Sequence, residues 1–297
     1  MEGKTCVITG ATSGIGLTTA ERLATIGARL VLIGRDLVKG EAALKQIRAK
    51  TPNIDASFFY ADLSRLGEVR RVASDILTAA PRIDVLISNA GAIFDRRETT
   101  EDGLERTFAV NYLSHFLLAA LRLDRLNASA PARIVTVTSR AHLVANADFG
   151  DLQNQGVASG SAACQRAKLC CILFTRKLGK RVAGTGVRAY SIHPGPAATS
   201  LGDDLGGALG AWLSFAKQSM SMPPETAAAG TAYVASSPAI TGATGKYFDQ
   251  CQLTSPSPAA EGDVAAERLW LRKRTFGRRT DVARDPAKSS STRKLAR

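Results

Sequence analysis

The sequence predicts an α/β fold in which helices cover both faces of one doubly wound parallel sheet. Two observations support this prediction. Short β-branched runs alternate with longer helix-periodic segments along most of the chain, which is typical of βαβ units. A glycine-rich turn also joins the first predicted strand to the first predicted helix. Because such crossovers are right-handed, we expect the ligand crevice at the carboxyl ends of the strands.

Hydrophobic periodicity distinguishes the short predicted strands from the longer predicted helices. The pattern predicts six strands, at Thr5–Ile8, Arg29–Ile33, Ala56–Tyr60, Ile83–Ser88, Arg133–Thr138 and Val187–Ile192. It predicts helices over Ile15–Ile26, after Asp36, and over Leu66–Ala79, Leu104–Asn127 and Ala162–Arg181, with a further helix beginning near Ala259.

One domain over residues 1–277 accounts for all of these elements. Residues 196–223 interrupt the alternation and are rich in Gly, Ala, Leu and Met, so they are expected to form a substrate lid. The alternative is a surface helix pair that only stabilises the fold. Residues 278–297 lack hydrophobic periodicity and are expected to be a disordered basic tail.

The net charge of +13 is concentrated at the end of the chain. From Arg268 onward there are 11 Lys/Arg and 2 Asp/Glu, which leaves only +4 for the rest. The basic cluster at residues 272–279 has no aromatic stacking platform or groove-reading motif beside it. A nucleic-acid partner is therefore not expected, and a solvated helix end explains the charge.

The five cysteines form no CxxC pair, and the three histidines lack metal-ligand spacing, so neither structural disulfides nor a metal site is expected. No apolar stretch reaches the length of a membrane span, and Met1–Lys4 leads directly into a strand. The expected location is the cytoplasm.

The turn over Thr9–Gly16 has the spacing GxxxGxG. Glycines let the backbone approach a pyrophosphate closely, and the start of a helix offers unpaired N–H groups and partial positive charge. A plain strand-to-helix turn is the alternative, but the position after the first strand favours a dinucleotide site in a Rossmann-type fold. The residues expected to bind the phosphates are Gly10, Ser13, Gly14, Ile15 and Gly16.

The second predicted strand is followed by Gly34 and Arg35 rather than by an acidic residue. An acid there would bind ribose hydroxyls and select NAD, whereas a guanidinium fits a 2′-phosphate. Arg35 therefore favours NADP(H) as the cofactor. The alternative is that Arg35 is a solvated residue at a helix start.

Further motifs are Asn89-Ala90-Gly91, Ser139-Arg140-Ala141-His142, Lys168 and His193-Pro194-Gly195. Together with the glycine turn, they resemble the motifs of the short-chain dehydrogenase/reductase superfamily, and of its retinol dehydrogenase-like branch. They extend over nearly the whole body of the chain. The resemblance implies that Asp62 and Leu63 contact adenine and that Asn89, Ala90 and Gly91 line the cofactor. It also implies that Pro194 and Gly195, in His193–Gly195, lie near the nicotinamide.

The resemblance also implies three members of a catalytic site. Ser139 ends the strand Ile134–Ser139 and corresponds to the serine that polarises the substrate oxygen. Lys168 corresponds to the lysine of the YxxxK motif, which binds the ribose. Asn111 corresponds to the asparagine that holds a water against this lysine.

The departure from the family pattern is at the tyrosine of YxxxK. Cys164 stands four residues before Lys168 and 25 residues after Ser139, which is the spacing expected in this branch. Cys164 therefore takes the place of the residue that exchanges a proton with the substrate oxygen. A neighbouring Lys168 ammonium is expected to lower the pKa of the thiol. The cysteine side chain is too short, however, for its sulfur to reach the substrate oxygen without a bridging water.

Three functions remain open. The first is a slow NADP(H)-dependent oxidoreductase that interconverts an apolar alcohol and its aldehyde or ketone. The second is an NADP(H)-binding protein without turnover, in which Cys164 only packs as a small apolar residue. The third is a different chemistry with Cys164 as nucleophile.

The resemblance also implies a possible homodimer. His142 is a candidate for a direct role beside Ser139, whereas His115 is expected to be a packed or half-exposed helix residue.

Overall fold

The computed structural model describes residues 1–52, 54–145, 149–156, 159–196, 222–240, 242 and 244–279. These residues form eight strands in one sheet: β1 (Thr5–Thr9), β2 (Arg29–Gly34), β3 (Ala56–Tyr60), β4 (Val85–Ser88), β5 (Ala132–Val137), β6 (Val187–His193), β7 (Lys246–Asp249) and β8 (Gln252–Thr254). The strand order is β3-β2-β1-β4-β5-β6-β7-β8. All neighbours are parallel except the last pair, β7 and β8. The doubly wound α/β fold is therefore confirmed.

The helices connect the strands on both faces of the sheet. The structure has α1 (Gly14–Thr25), α2 (Leu37–Lys50), α3 (Leu66–Ala79), α4 (Arg106–Phe108), α5 (Ser114–Ala128), α6 (Gly160–Arg181), α7 (Pro224–Ser236), α8 (Pro258–Glu261) and α9 (Asp263–Arg279). Short 3₁₀ helices span Arg140–Val144 and Pro238–Ile240. Asp36 begins α2 as predicted, since its carboxylate accepts a hydrogen bond from the Lys39 amide at 3.0 Å.

Alternating side chains of the strands supply two separate cores. Val7 of β1 packs on the face covered by α3, α5 and α6, whereas Cys6 and Ile8 pack on the face covered by α1 and α7. Both faces are buried, which explains why the inner strands are almost continuously apolar in sequence.

The predicted number of strands was too low. β7 and β8 are only four and three residues long, and every residue of β8 is exposed, so no apolar pattern distinguishes β8 from a loop. Gly245 precedes β7 at a positive φ of 75°, in a Thr-Gly-rich segment that reads as a turn.

The predicted helix over Leu104–Asn127 is interrupted. A π-helical turn, Ala109–Leu113, separates α4 from α5. A π turn inserts one extra residue and often lies at a functional site. Apolar periodicity does not reveal it, because the residues before and after the turn still face the core.

Candidate functional site

The glycine turn at the end of β1 packs directly against the segment that follows β4. Gly10 has a positive φ of 64°, and a Cβ there would lie 2.8 Å from the Cα of Ala90. The Asn89 side-chain amide donates to the carbonyls of Thr9 and Gly10, at 3.0 and 3.2 Å. The structure thus brings together two of the segments predicted to bind the cofactor.

Helix α1 begins at this turn, with Ser13 at its N-cap in extended conformation. The first N–H groups of a helix, here including those of Ile15 and Gly16, have no partner within the helix and can bind an anion. Gly16 is required for packing, since a Cβ there would lie 2.2 Å from the Gly10 carbonyl oxygen. A helix start beside a glycine turn fits a dinucleotide diphosphate.

The residues predicted to bind the adenosine half lie at the ends of β2 and β3. Arg35 is exposed, and it makes no ion pair with any residue in the part of the chain that the structure describes. Asp62 accepts a hydrogen bond from the Ser64 amide at 2.9 Å, and Leu63 beside it is buried. The Arg35 guanidinium is therefore accessible to a phosphate.

Asn111 lies in the π turn and is held by the backbone of Ala92. Its Oδ1 accepts from the Ala92 amide at 2.8 Å, and its Nδ2 donates to the Ala92 carbonyl at 2.9 Å. The same Nδ2 lies 3.7 Å from the sulfur of Cys164. Because Asn111 is fully buried, these contacts fix the amide in one orientation.

Lys168 lies one helical turn after Cys164 on α6, and it is buried. Its ammonium donates to the Val137 carbonyl at 3.0 Å, where β5 ends. The remaining two protons of an ammonium are left for other acceptors. A Cβ on Gly91 would lie 3.5 Å from this ammonium, so the Asn89–Gly91 segment also borders Lys168.

The pKa of the Cys164 thiol is raised overall: Lys168 lowers it as expected, but the expected net lowering is wrong. Burial disfavours the thiolate and outweighs both the Lys168 charge and the hydrogen bond from Asn111, which act in the opposite direction. The nearby carboxylate of Glu105 raises the pKa further. The thiol is therefore protonated at neutral pH.

Ser139 is half-buried just beyond β5, and its hydroxyl accepts a hydrogen bond from the Ala141 amide at 3.2 Å. It lies two residues after Val137, which binds Lys168. On the neighbouring strand, β6 ends at His193, so Pro194 and Gly195 follow at the same carboxyl edge of the sheet. No described hydrogen bond joins Ser139 to Cys164, Asn111 or Lys168.

His142 is a structural residue in this fold. Its Nδ1 lies 2.7 Å from the Ser139 carbonyl, and its Nε2 accepts from the Ser257 amide at 3.1 Å. Both ring nitrogens are therefore bonded to backbone, and burial lowers the pKa of the ring. These two contacts hold the segment after Ser139 against Ser257.

Three buried side chains border the site: Cys171 and Glu105, to which the sequence analysis gave no role, and His115, which is packed as expected. His115 and Cys171 contact the segments around Lys168. Glu105 accepts hydrogen bonds from the amides of Thr107 and Phe108, both at 2.7 Å, and so begins the helical segment that carries Asn111. An acidic residue just before a helical segment is a capping signal that can be recognised in the sequence.

Parts of the prediction fall outside the described residues. Residues 197–221 of the expected lid and residues 280–297 of the expected tail belong to these parts. Among the described residues, no helix is long and apolar enough to cross a bilayer, and no group of three metal-ligating side chains converges. All five cysteines are free thiols.

Comparisons with known proteins identify the family. A family model for short chain dehydrogenases matches residues 4–208. Human retinol dehydrogenase 13 is 41% identical over 280 residues, covering 90% of this chain and 82% of that protein. Human retinol dehydrogenase 12 is 39% identical over 270 residues, covering 91% and 85%.

Solved structures also align with this chain over most of its length. An uncharacterized protein from Mycobacterium paratuberculosis aligns with a TM-score of 0.75 and 30% identity, covering 93% of this chain and 94% of that one. A short chain dehydrogenase/reductase family protein aligns with a TM-score of 0.62 and 30% identity, covering 84% and 97%. The chain belongs to the short-chain dehydrogenase family of oxidoreductases, in the branch that contains the retinol dehydrogenases.

Proposed function

We propose that this protein is an NADP(H)-dependent oxidoreductase that interconverts an apolar alcohol and its aldehyde or ketone, and that Cys164 makes it slow. The observation that carries the proposal is the convergence of Lys168, Asn111 and Cys164 at the carboxyl edge of the sheet, beside the Asn89–Gly91 segment. The similarity to retinol dehydrogenases supports chemistry between an alcohol and a carbonyl.

The residues that would hold the cofactor are those around the glycine turn and Lys168. Gly14, Ile15 and Gly16 offer N–H groups to the diphosphate, and Arg35 offers its guanidinium to a 2′-phosphate. In the described part of the chain the Lys168 ammonium donates to the Val137 carbonyl, and its other two protons can be donated to ribose hydroxyls. NADPH, when bound, supplies a hydride to the substrate carbon.

The proton is the limiting part of the proposed reaction. Ser139 would donate a hydrogen bond to the substrate oxygen, and Cys164 would supply the proton. A cysteine sulfur lies about 3 Å from its Cα and a tyrosine oxygen about 6.5 Å, so one water must bridge the thiol and the oxygen. A missing or poorly placed general acid costs about 10²- to 10⁴-fold in rate.

Two alternatives have different support. A cofactor-binding protein without turnover is favoured by the burial of Cys164 and by its raised pKa, because a small neutral thiol packs like an apolar side chain. A nucleophilic Cys164 has less support, since a nucleophile requires the thiolate.

From the sequence we also propose an apolar substrate, a cytoplasmic location and a homodimer. The apolar residues that suggest an apolar substrate lie mostly in residues 197–221, outside the described part of the chain. We likewise propose that residues 1–277 form one domain.

The test measures NADPH binding by calorimetry and NADPH consumption with a panel of apolar aldehydes and ketones. The wild type, Cys164→Tyr and Cys164→Ala are compared. We expect all three to bind NADPH, the wild type to turn over slowly, the tyrosine variant to be faster and the alanine variant to be slower. If NADPH binds to all three but neither the wild type nor Cys164→Tyr consumes it, the oxidoreductase proposal is wrong for these substrates. A purely cofactor-binding role then takes its place.

A further inference from the structure

Two buried side chains that the proposed reaction does not use bind backbone carbonyls on either side of Lys168. His115 Nε2 lies 2.9 Å from the carbonyl oxygen of Ala90. Cys171 Sγ lies 3.1 Å from the carbonyl oxygen of Asn111. A carbonyl only accepts hydrogen bonds, so the imidazole N–H and the thiol S–H are the donors.

The same two side chains also contact each other. The sulfur of Cys171 lies 4.0 Å from Nδ1 of His115. Because the ring proton is on Nε2 and the thiol proton is donated to Asn111, this contact is van der Waals and shares no proton. Both residues are almost completely buried. Burial, with the Lys168 charge, lowers the pKa of His115 to about 3, and burial raises the pKa of Cys171 to about 12. Both donors therefore keep their protons at neutral pH.

The arrangement joins three elements where they meet Lys168. Cys171 follows Lys168 by three residues on α6, and His115 follows Asn111 by four residues, so each pair shares a helix face. Ala90 lies in the segment after β4, beside Gly91. A Cβ on Gly91 would lie 3.5 Å from the Lys168 ammonium and 3.7 Å from Asn111 Oδ1.

We propose that His115 and Cys171 are positioning residues that set the place of the Ala90 segment and of Asn111 relative to Lys168. His115 fixes the segment that lines the cofactor, and Cys171 fixes the π turn. At 4.0 Å the two side chains are also in van der Waals contact with each other. The inference rests on the proposed function only in naming the ligand that lies against these segments.

The test compares variants that remove each donor with variants that keep it. Cys171→Ala and His115→Leu remove the donors, whereas Cys171→Ser and His115→Gln keep one at a similar place. Cys170→Ala is the matched control, because Cys170 is equally buried and bonds neither Asn111 nor His115. NADPH affinity is measured by calorimetry, and the Tm records general loss of stability.

Cys171→Ala and His115→Leu should each weaken NADPH binding about three- to tenfold, the effect of one hydrogen bond. The serine and glutamine variants should recover most of the affinity. Cys170→Ala should lower the Tm without weakening binding. Equal affinity in all variants would overturn the inference, and so would an equal loss in Cys170→Ala, because the effect would then be packing alone.

A second measurement does not depend on the cofactor. The Ala92 amide donates to Asn111 Oδ1, so its hydrogen exchange reports on the placement of Asn111. We expect Cys171→Ala to speed this exchange about three- to tenfold and Cys170→Ala to leave it unchanged. If the wild type binds no NADPH, the proposed function fails, and this exchange measurement alone decides the positioning role. Unchanged exchange in Cys171→Ala would then overturn it.

Discussion

The sulfur of Cys164 lies 3.7 Å from Nδ2 of Asn111, an amide that the Ala92 backbone holds on both sides. The sulfur accepts a weak hydrogen bond from a fixed donor, which favours the thiolate, yet burial dominates and raises the pKa of the thiol. The site therefore presents a protonated thiol beside Lys168. A protonated thiol suits a proton donor better than it suits a nucleophile.

This protonation state predicts that Cys164 reacts slowly with alkylating reagents. Alkylation requires an accessible thiolate. Cys251 is exposed and should be modified by iodoacetamide at neutral pH well before Cys164. Peptide mass spectrometry over a time course measures the order. If Cys164 is modified first, the nucleophile alternative regains its support.

Replacing Arg35 should change which cofactor binds. The exposed guanidinium would make charge-assisted hydrogen bonds to a 2′-phosphate that NADH lacks. Arg35→Leu should weaken NADPH binding by about 1.5 to 3 kcal/mol, or roughly 10- to 150-fold, and leave NADH affinity nearly unchanged. Lys45→Leu is the control for net charge, because Lys45 is exposed on α2, the helix that follows Arg35. A parallel loss for both cofactors would remove Arg35 from the 2′-phosphate site.

Replacing Gly16 should disrupt the glycine turn. A Cβ there would lie 2.2 Å from the Gly10 carbonyl and 2.5 Å from Asn89 Nδ2, so the turn must shift. Gly16→Ala should cost about 1 to 3 kcal/mol of unfolding free energy and reduce cofactor affinity. Gly67→Ala on α3 is the control, because its Cβ would meet nothing within 4 Å. It should be neutral or slightly stabilising. Equal effects of the two substitutions in denaturant unfolding and calorimetry would contradict this account.

Buried histidines should make the fold less stable in mild acid. Burial lowers the pKa of His115 to about 3 and that of His193 to about 4, against about 6.5 in the unfolded chain. Below about pH 6.5 the unfolded chain binds protons that the folded chain does not. The unfolding free energy should therefore fall as pH decreases from 6.5 to 5, by up to about 1.4 kcal/mol per pH unit for each of these histidines.

Urea unfolding at a series of pH values measures this slope. His115→Gln removes one titrating group and keeps the donor to Ala90, so its slope should be shallower than that of the wild type. A stability that is constant or rising towards pH 5 would show that these rings are accessible to protons in the folded protein.

The sequence alone was sufficient for the fold class, the glycine turn and the strands up to β6, but not for the π turn that divides the predicted helix Leu104–Asn127. These features are local: apolar periodicity identifies each element, and the glycine spacing identifies the turn. Local pattern was not sufficient for β7 and β8, since β8 gains its strand conformation from pairing with β7 and buries no side chain.

Only the tertiary structure decided the chemistry around Lys168. The sequence predicted that Lys168 lowers the pKa of Cys164, because four residues along a helix place the two side chains close together. The structure adds the burial that reverses the sign, and it adds Cys171 and His115, whose partners at Asn111 and Ala90 lie far away in sequence. Desolvation and cross-element hydrogen bonds depend on how separate segments pack, which the order of residues along one helix does not specify.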